Sequence, residues 1–355
     1  MLLYFSICLC IFVLSIVHDN SKEYLLKKIS LFFIITLCSI MPVFRDINVG
    51  TDTKTYIDMF LNSDSKILLS QGIEPFFTFI IYILKELGFS DYRYYLFIFY
   101  IIFISVFIYS AKGIFGKITL PLIAFLTIST IYFSHFNVIR QSIAISFFMM
   151  NIMYFLKDNK KGLFISLIVS IMFHYSAIVN LFFFLCVYLY KKSKILMIFL
   201  FLLLFFCILF SNNIFEYIGS YLPFLRISGY LGKIEENPSG LKIYIFSIFL
   251  MLFYFFLKNK FKLHSRMYDL ISILFIFLCI FNFAILFLNL PIEGPGRVVY
   301  YYYLAYVFLY YVFSRFFSGV QEFFIANLVF IFSLIYMFFL YSIGNMHGIF
   351  PYSFY

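Results

Sequence analysis

The apolar residues of this chain come in runs about as long as a lipid bilayer is thick. Runs at about 2–17, 29–44, 94–111, 118–135, 141–156, 194–211, 241–257, 270–290, 298–313 and 323–343 approach or meet the roughly 17–25 residues that a spanning helix needs. A soluble domain of this size would be about half apolar and a quarter charged. Here 64% of the 355 residues are hydrophobic and 12% are charged. A water-soluble core has no room for that much apolar surface, so lipid is the solvent implied for most of it. Backbone groups in lipid must be satisfied within the segment, so the fold class is all-α, a polytopic integral membrane protein. No polar stretch is long enough to fold separately. The domain reading is therefore a single transmembrane domain over 1–355, with outer loops at about 45–93 and 212–240. Met1 to Val17 lacks a basic leader and a small-residue cleavage site, and reads as a retained first span.

Two stretches depart from the simple pattern. Residues 162–190 are too long for one comfortable span and carry His174, Tyr175, Ser176 and Asn180 at their middle. They read as two short helices with His174 at the turn. Each half would be roughly 20 Å long at ~1.5 Å per residue, short of a hydrocarbon core of ~30 Å. Histidine would then sit at the floor of a wet vestibule. Residues 74–88 look helical, begin at Glu74-Pro75, and would reverse the sidedness of every later loop if counted as a span. A re-entrant or interfacial helix is the reading that avoids this. The expected count is about twelve spans.

Orientation follows from lysine and arginine in short loops. Loops 18–28, 112–117, 157–161, 191–194, 258–269 and 314–322, placed in the cytoplasm, hold 16 of the 26 cations and 5 of the 16 acids. The inside is then +11 and the outside −1, with both termini outside. The net charge of +10 is accounted for by this loop pattern, and nucleic acid is not an expected partner. The six cysteines all lie inside apolar runs without metal-ligand spacing and read as packing residues. No metal and no cofactor is expected. The 56 Phe and 31 Tyr follow from A/T-rich codons as readily as from function.

The two cations divide differently between the faces. Fourteen of 19 lysines fall inside, whereas five of seven arginines (Arg45, Arg93, Arg140, Arg226, Arg297) fall outside. Guanidinium grips phosphate or carboxylate with a planar fork, so arginines on the cation-poor face point to an anionic ligand reached from that side. Three have a nearby acid that offers a plainer explanation: Asp46 for Arg45, Asp91 for Arg93, Glu293 for Arg297. Arg140 lies between two apolar runs with no acid within ten residues on either side. A charge so placed marks a candidate functional site, with Asn137 and Gln141 on neighbouring helical faces; snorkelling to headgroups is the alternative. His174 is a candidate proton carrier near neutral pH, or else a hydrogen-bonded packing residue.

Four segments occur in an order that resembles the EpsG-like proteins, which belong with the Wzy-type O-antigen and capsule polymerases. They are FRDINVGTDTKTYIDMF (44–60), EPFFTFIIYILKELG (74–88), NVIRQSIAISFFMMNIMYFLKDNK (137–160) and FHYSAIVNLFF (173–183). The family pattern falls on Arg45, on Gly50, Thr51 and Asp52 with Tyr56, on Glu74-Pro75, on Arg140-Gln141 and on His174, Ser176 and Ala177. A later Gly296-Arg297 with Tyr300 and Tyr301 also fits. The resemblance implies a metal-independent glycosyltransferase of a bacterial inner membrane, with its site facing the periplasm. It would move a growing glycan from undecaprenyl diphosphate onto a lipid-linked repeat unit. On that reading His174, Asp52 and Arg140 are catalytic: Arg140, Arg297 and Arg45 offset charge on the departing diphosphate, and His174 or Asp52, with Glu74 third, activates the acceptor hydroxyl. Arg45, Thr51, Tyr56, Glu74, Gln141, Arg297 and Tyr300 bind substrate. The 212–240 loop, with Arg226, Glu235 and Glu236, shapes acceptor choice. The implied partners are the undecaprenyl-diphosphate-linked oligosaccharide, the bilayer and, by analogy, a chain-length regulator. The alternatives are a lipid-linked oligosaccharide flippase, although the two halves of the chain show no matching blocks, and an O-antigen ligase.

Overall fold

The computed structural model describes residues 2–62, 64–127, 131–190, 192–210, 240–288, 295–314 and 320–339. The expected loop at 212–240, with Arg226, Glu235 and Glu236, lies outside them but for its last residue, as do Lys191, Glu293 and Arg315. Every regular element among the described residues is a helix. The chain divides into two compact units, Met1–Leu68, Glu74–His174 and Tyr306–Tyr355 in the first, Leu69–Ile73 and Tyr175–Ala305 in the second.

The first unit is built around α6 (Tyr92–Phe115). Asp91 starts it by accepting a hydrogen bond from the Arg93 amide (2.8 Å), and Gly116, left-handed at φ 76°, ends it. Leu96, Phe99, Tyr100, Phe103, Ile104 and Phe107 recur at three- and four-residue spacing along α6 and are fully buried. Against it pack α2 (Tyr24–Val43) and α9 (Ile139–Leu156), and α9 in turn packs on α10 (Lys160–Phe173). Asn159 caps α10 through the Gly162 amide (2.8 Å). A Cβ on Gly162 would stand 2.8 Å from the Tyr154 ring, so only glycine lets the two helices approach so closely. α1 (Leu2–Asn20) lies on α2 and on α7 (Thr119–Thr127). Four shorter helices complete the N-terminal part: α3 (Thr53–Asn62), α4 (Ser65–Ser70), whose last two residues belong to the second unit, α5 (Pro75–Glu86) and α8 (Ile131–Ser134).

Three of the six loops that the charge count puts on one side come together within the first unit. At the end of α1, Asp19 accepts hydrogen bonds from the Ile118 and Thr119 amides and the Thr119 hydroxyl, and His18 faces Lys112 at 3.4 Å. Gly113 lies against Met153 and Lys157. Loops 18–28, 112–117 and 157–161 thus gather at one end of α6. At the other end, Phe60 of α3 and Phe77 of α5 pack on Tyr95.

The second unit contains a 3-10 turn (Tyr175–Ile178), α11 (Val179–Leu189), α12 (Lys194–Leu209), α13 (Gly240–Lys260), α14 (Arg266–Phe287), a second 3-10 turn (Pro295–Val298) and α15 (Val299–Tyr302). α13 and α14 pack together. Lys258 donates to Asp269 (3.1 Å) and Ser272 (2.8 Å) at one end of the pair, and Asn282 donates to Ser247 (3.0 Å) within it. α16 (Leu304–Ser314) begins in this unit and continues into the first, to which α17 (Val320–Met337) belongs.

Six helices among the described residues are long and apolar enough to cross a membrane: α1, α2, α6, α9, α13 and α14. The expected count of about twelve is not reached on that measure because several apolar runs form shorter or interrupted helices. The run at 118–135 contains α7 and α8, and the run at 298–313 is divided between α15 and α16. α12 has 16 residues. The stretch 162–190 breaks at His174, which is extended (φ −159°, ψ 119°) between α10 and the first 3-10 turn. The helix read at 74–88 is present as α5, with Pro75 at its first turn. Its 12 residues reach roughly 18 Å, too short to span. One face of it (Phe77, Thr78, Ile81, Leu84) is buried and the opposite face (Phe79, Tyr82, Ile83) is exposed.

Candidate active site

The site lies wholly within the first unit and is assembled from three helix ends. Glu74 is the residue before α5, extended and 2% exposed, and its carbonyl accepts from both the amide and the hydroxyl of Thr78 (3.1 Å each). Arg140 lies in the first turn of α9. His174 terminates α10, and the packing of α5 on α10 and of α10 on α9 brings the three ends together.

Their side chains form one chain of contacts. One carboxylate oxygen of Glu74, Oε2, accepts from Arg140 Nη1. The other, Oε1, is 2.5 Å from His174 Nδ1. The carboxylate is 3% exposed, while the Arg140 and His174 side chains are 20% and 23% exposed. The acid is therefore the hidden bridge, and the two cation-forming groups reach the surface. Burial alone would raise the Glu74 carboxyl, but the Arg140 guanidinium, helped by the hydrogen-bonded His174, outweighs it and holds it down at about 2. Arg140 also lies 5.7 Å over the Phe77 ring and is hydrogen-bonded by the side chain of Tyr56.

This arrangement replaces the sequence reading at one point. Arg140 has no acid near it in the chain, and its partner is Glu74, 66 positions away. Snorkelling is not the state of a guanidinium held in this way. Glu74, third among the candidate bases, is the residue that joins Arg140 to His174.

The EpsG family matches residues 28–354, which contain every group in this bridge. The chain belongs to the EpsG family. No curated protein and no solved structure matches it. The family fits a polysaccharide-polymerase-like role, and several apolar helices fit a membrane protein.

Not every candidate residue of this EpsG-family chain reaches the bridge. Tyr56 does, buried on α3 with its ring 5.9 Å from that of Phe77. Gln141, beside Arg140, is 2% exposed. Thr51 is exposed and its hydroxyl donates to Asp52 (3.2 Å), whose backbone carbonyl starts α3 by accepting from the Tyr56 amide. Arg45 is 1% exposed and is not paired with Asp46, whose carboxylate accepts from Asn48 instead. Arg93 does pair with Asp91, at 3.6 Å. In the second unit, Arg297 is half-buried in the 3-10 turn Pro295–Val298 and Tyr300 is buried in α15. There the Tyr301 hydroxyl is 3.2 Å from that of Ser176, and the two 3-10 turns touch.

Proposed function

We propose that this EpsG-family protein is a surface-polysaccharide polymerase. It transfers a growing glycan from undecaprenyl diphosphate onto the terminal sugar of a lipid-linked repeat unit, at the outer face of a bacterial inner membrane. The observation that carries this reading is the Glu74 carboxylate bridging Arg140 and His174.

The bridge suits glycosyl transfer. With the proton of its Nδ1 directed at Glu74, His174 keeps a lone pair on Nε2. A carboxylate on the far nitrogen fixes that tautomer and steadies the imidazolium that forms later. Nε2 takes the proton of the acceptor hydroxyl as its oxygen bonds to the anomeric carbon of the donor. The bond from that carbon to the diphosphate oxygen breaks, and undecaprenyl diphosphate leaves with the electron pair. Arg140, anchored by Glu74 and partly exposed, supplies positive charge where the leaving diphosphate gathers negative charge. The guanidinium provides the charge that a metal ion would otherwise bring, and turnover is expected to persist in a chelator.

Electrophoresis of surface glycan from a deletion strain tests the reading. A strain without the polymerase is expected to show single repeat units in place of the polymer ladder. Complete absence of exported repeats would point to a flippase, and single-unit and long glycan both missing from the acceptor core would point to a ligase.

A further inference from the structure

Arg45 stands in the same sequence pattern as Arg140 but in a different environment. Its Nη2 donates to the carbonyl of Phe136 (3.0 Å), its Nη1 donates to the Tyr100 hydroxyl (3.2 Å), and its guanidinium carbon lies 4.6 Å over the Phe136 ring. The Tyr100 hydroxyl reaches the neighbouring carbonyl of His135 at 3.5 Å. All of these contacts converge on the turn at 135–138 between α8 and α9. Five residues beyond Arg45, Gly50 presses on the same turn. It adopts φ +90°, and a Cβ there would stand 2.7 Å from Asn137 Oδ1 and 3.4 Å from the Phe136 carbonyl. Thr53 closes the loop onto itself by donating to the Val49 carbonyl (2.6 Å).

The turn leads straight into the site. Phe136 precedes Arg140 by four residues, and α9 begins at Ile139, immediately before Arg140. A shift of the turn therefore displaces the first residues of α9 and with them the guanidinium, whose grip on Glu74 allows little slack. A diphosphate ligand would need its guanidinium edge in reach of solvent, and Arg45 is 1% exposed.

We propose that Arg45 is a positioning residue: it braces the 135–138 turn from beneath, with Gly50 as the second point of contact, and so sets the placement of Arg140. The brace itself is a structural statement, and only its effect on turnover rests on the polymerase reading.

Two readouts on purified protein test it. In Arg45→Lys, the charge is retained but the fork and the stacking are lost. Hydrogen exchange of the backbone amides at 138–142 is expected to quicken at least about tenfold. With lipid-linked repeat units extracted from the deletion strain, kcat is expected to fall by about 10–100-fold, the scale of a misplacement of ~1 Å, while KM stays within about twofold. Gly50→Ala removes no charge and is expected to give the same split. Unchanged exchange in Arg45→Lys, or a raised KM with kcat retained, would overturn the brace and make Arg45 a ligand. If Arg45→Lys does not accumulate, Tyr100→Phe removes one of the two hydrogen bonds. Several-fold faster exchange is expected there, and no change would equally overturn the proposal. Failure of the wild type to polymerise would remove the functional reading and leave the exchange comparison to decide the brace.

Discussion

At the scale of the residue, the decisive group is a carboxylate that is almost wholly buried. Glu74 holds Arg140 with one oxygen and His174 with the other, so a single anion fixes both the proposed charge-stabilising group and the proposed proton acceptor. His174→Gln keeps a donor for Glu74 but has no basic nitrogen. Turnover with lipid-linked repeat units is expected to fall by roughly 10²–10⁴-fold with the amount of protein in the membrane unchanged, and a loss of only a few-fold would remove His174 from the proton path. Arg140 and His174 stood out in the sequence because a titratable group inside an apolar run is costly and therefore conspicuous. The role of Glu74 did not, since its contacts join positions 66 and 100 residues apart. A signal was nonetheless available in an acid placed directly before a proline in an otherwise apolar segment. Arg45 read as a loop arginine with Asp46 beside it, because its burial is set by the packing of Tyr100 and Phe136, which loop position does not reveal.

At the scale of the element, helix ends do most of the positioning. α5, α9 and α10 present their termini to the site, and α7 is held by a side chain from α1. Asp19 accepts from three donor groups, the Ile118 and Thr119 amides and the Thr119 hydroxyl. Asp19→Ala is expected to cost about 1–2 kcal/mol, as loss of an N-terminal cap does. The measurement is the Tm of purified protein, expected to drop while KM for the lipid-linked donor stays as in the wild type. Equal Tm values would show that the cap contributes nothing. Helix existence was legible almost throughout, since apolar runs in lipid have little choice but to coil. Helix continuity was less so. Hydropathy does not distinguish a straight span from a broken one, and the run at 118–135 reads as one apolar segment although it is interrupted and its last residue, His135, belongs to the turn that Arg45 holds. The short α5 was legible because Glu74-Pro75 marks its start and its length is too small for a span.

At the scale of the molecule, contacts within the first unit bring together three of the loops that the charge map puts on one side. His18, Asp19, Lys112 and Lys157 gather at one end of α6, and Arg45, Glu74, Arg140 and His174 belong to the other. A cysteine introduced at exposed Thr51 in a cysteine-free background is expected to react with an impermeant thiol reagent added outside intact inner-membrane spheroplasts. One at exposed Lys160 is expected to react only after permeabilisation. The opposite pattern would invert the molecule and remove the site from the periplasm.

The central claim is that Glu74, Arg140 and His174 act as one unit on a lipid diphosphate. The most direct test is polymerisation by purified Arg140→Ala protein beside the wild type, on lipid-linked repeat units and with equal folded protein confirmed by gel filtration. The account predicts a ladder of products from the wild type and at least about a hundredfold loss from the variant, on the scale of removing a preorganised charge-stabilising group. A ladder of normal length and rate from Arg140→Ala would contradict it.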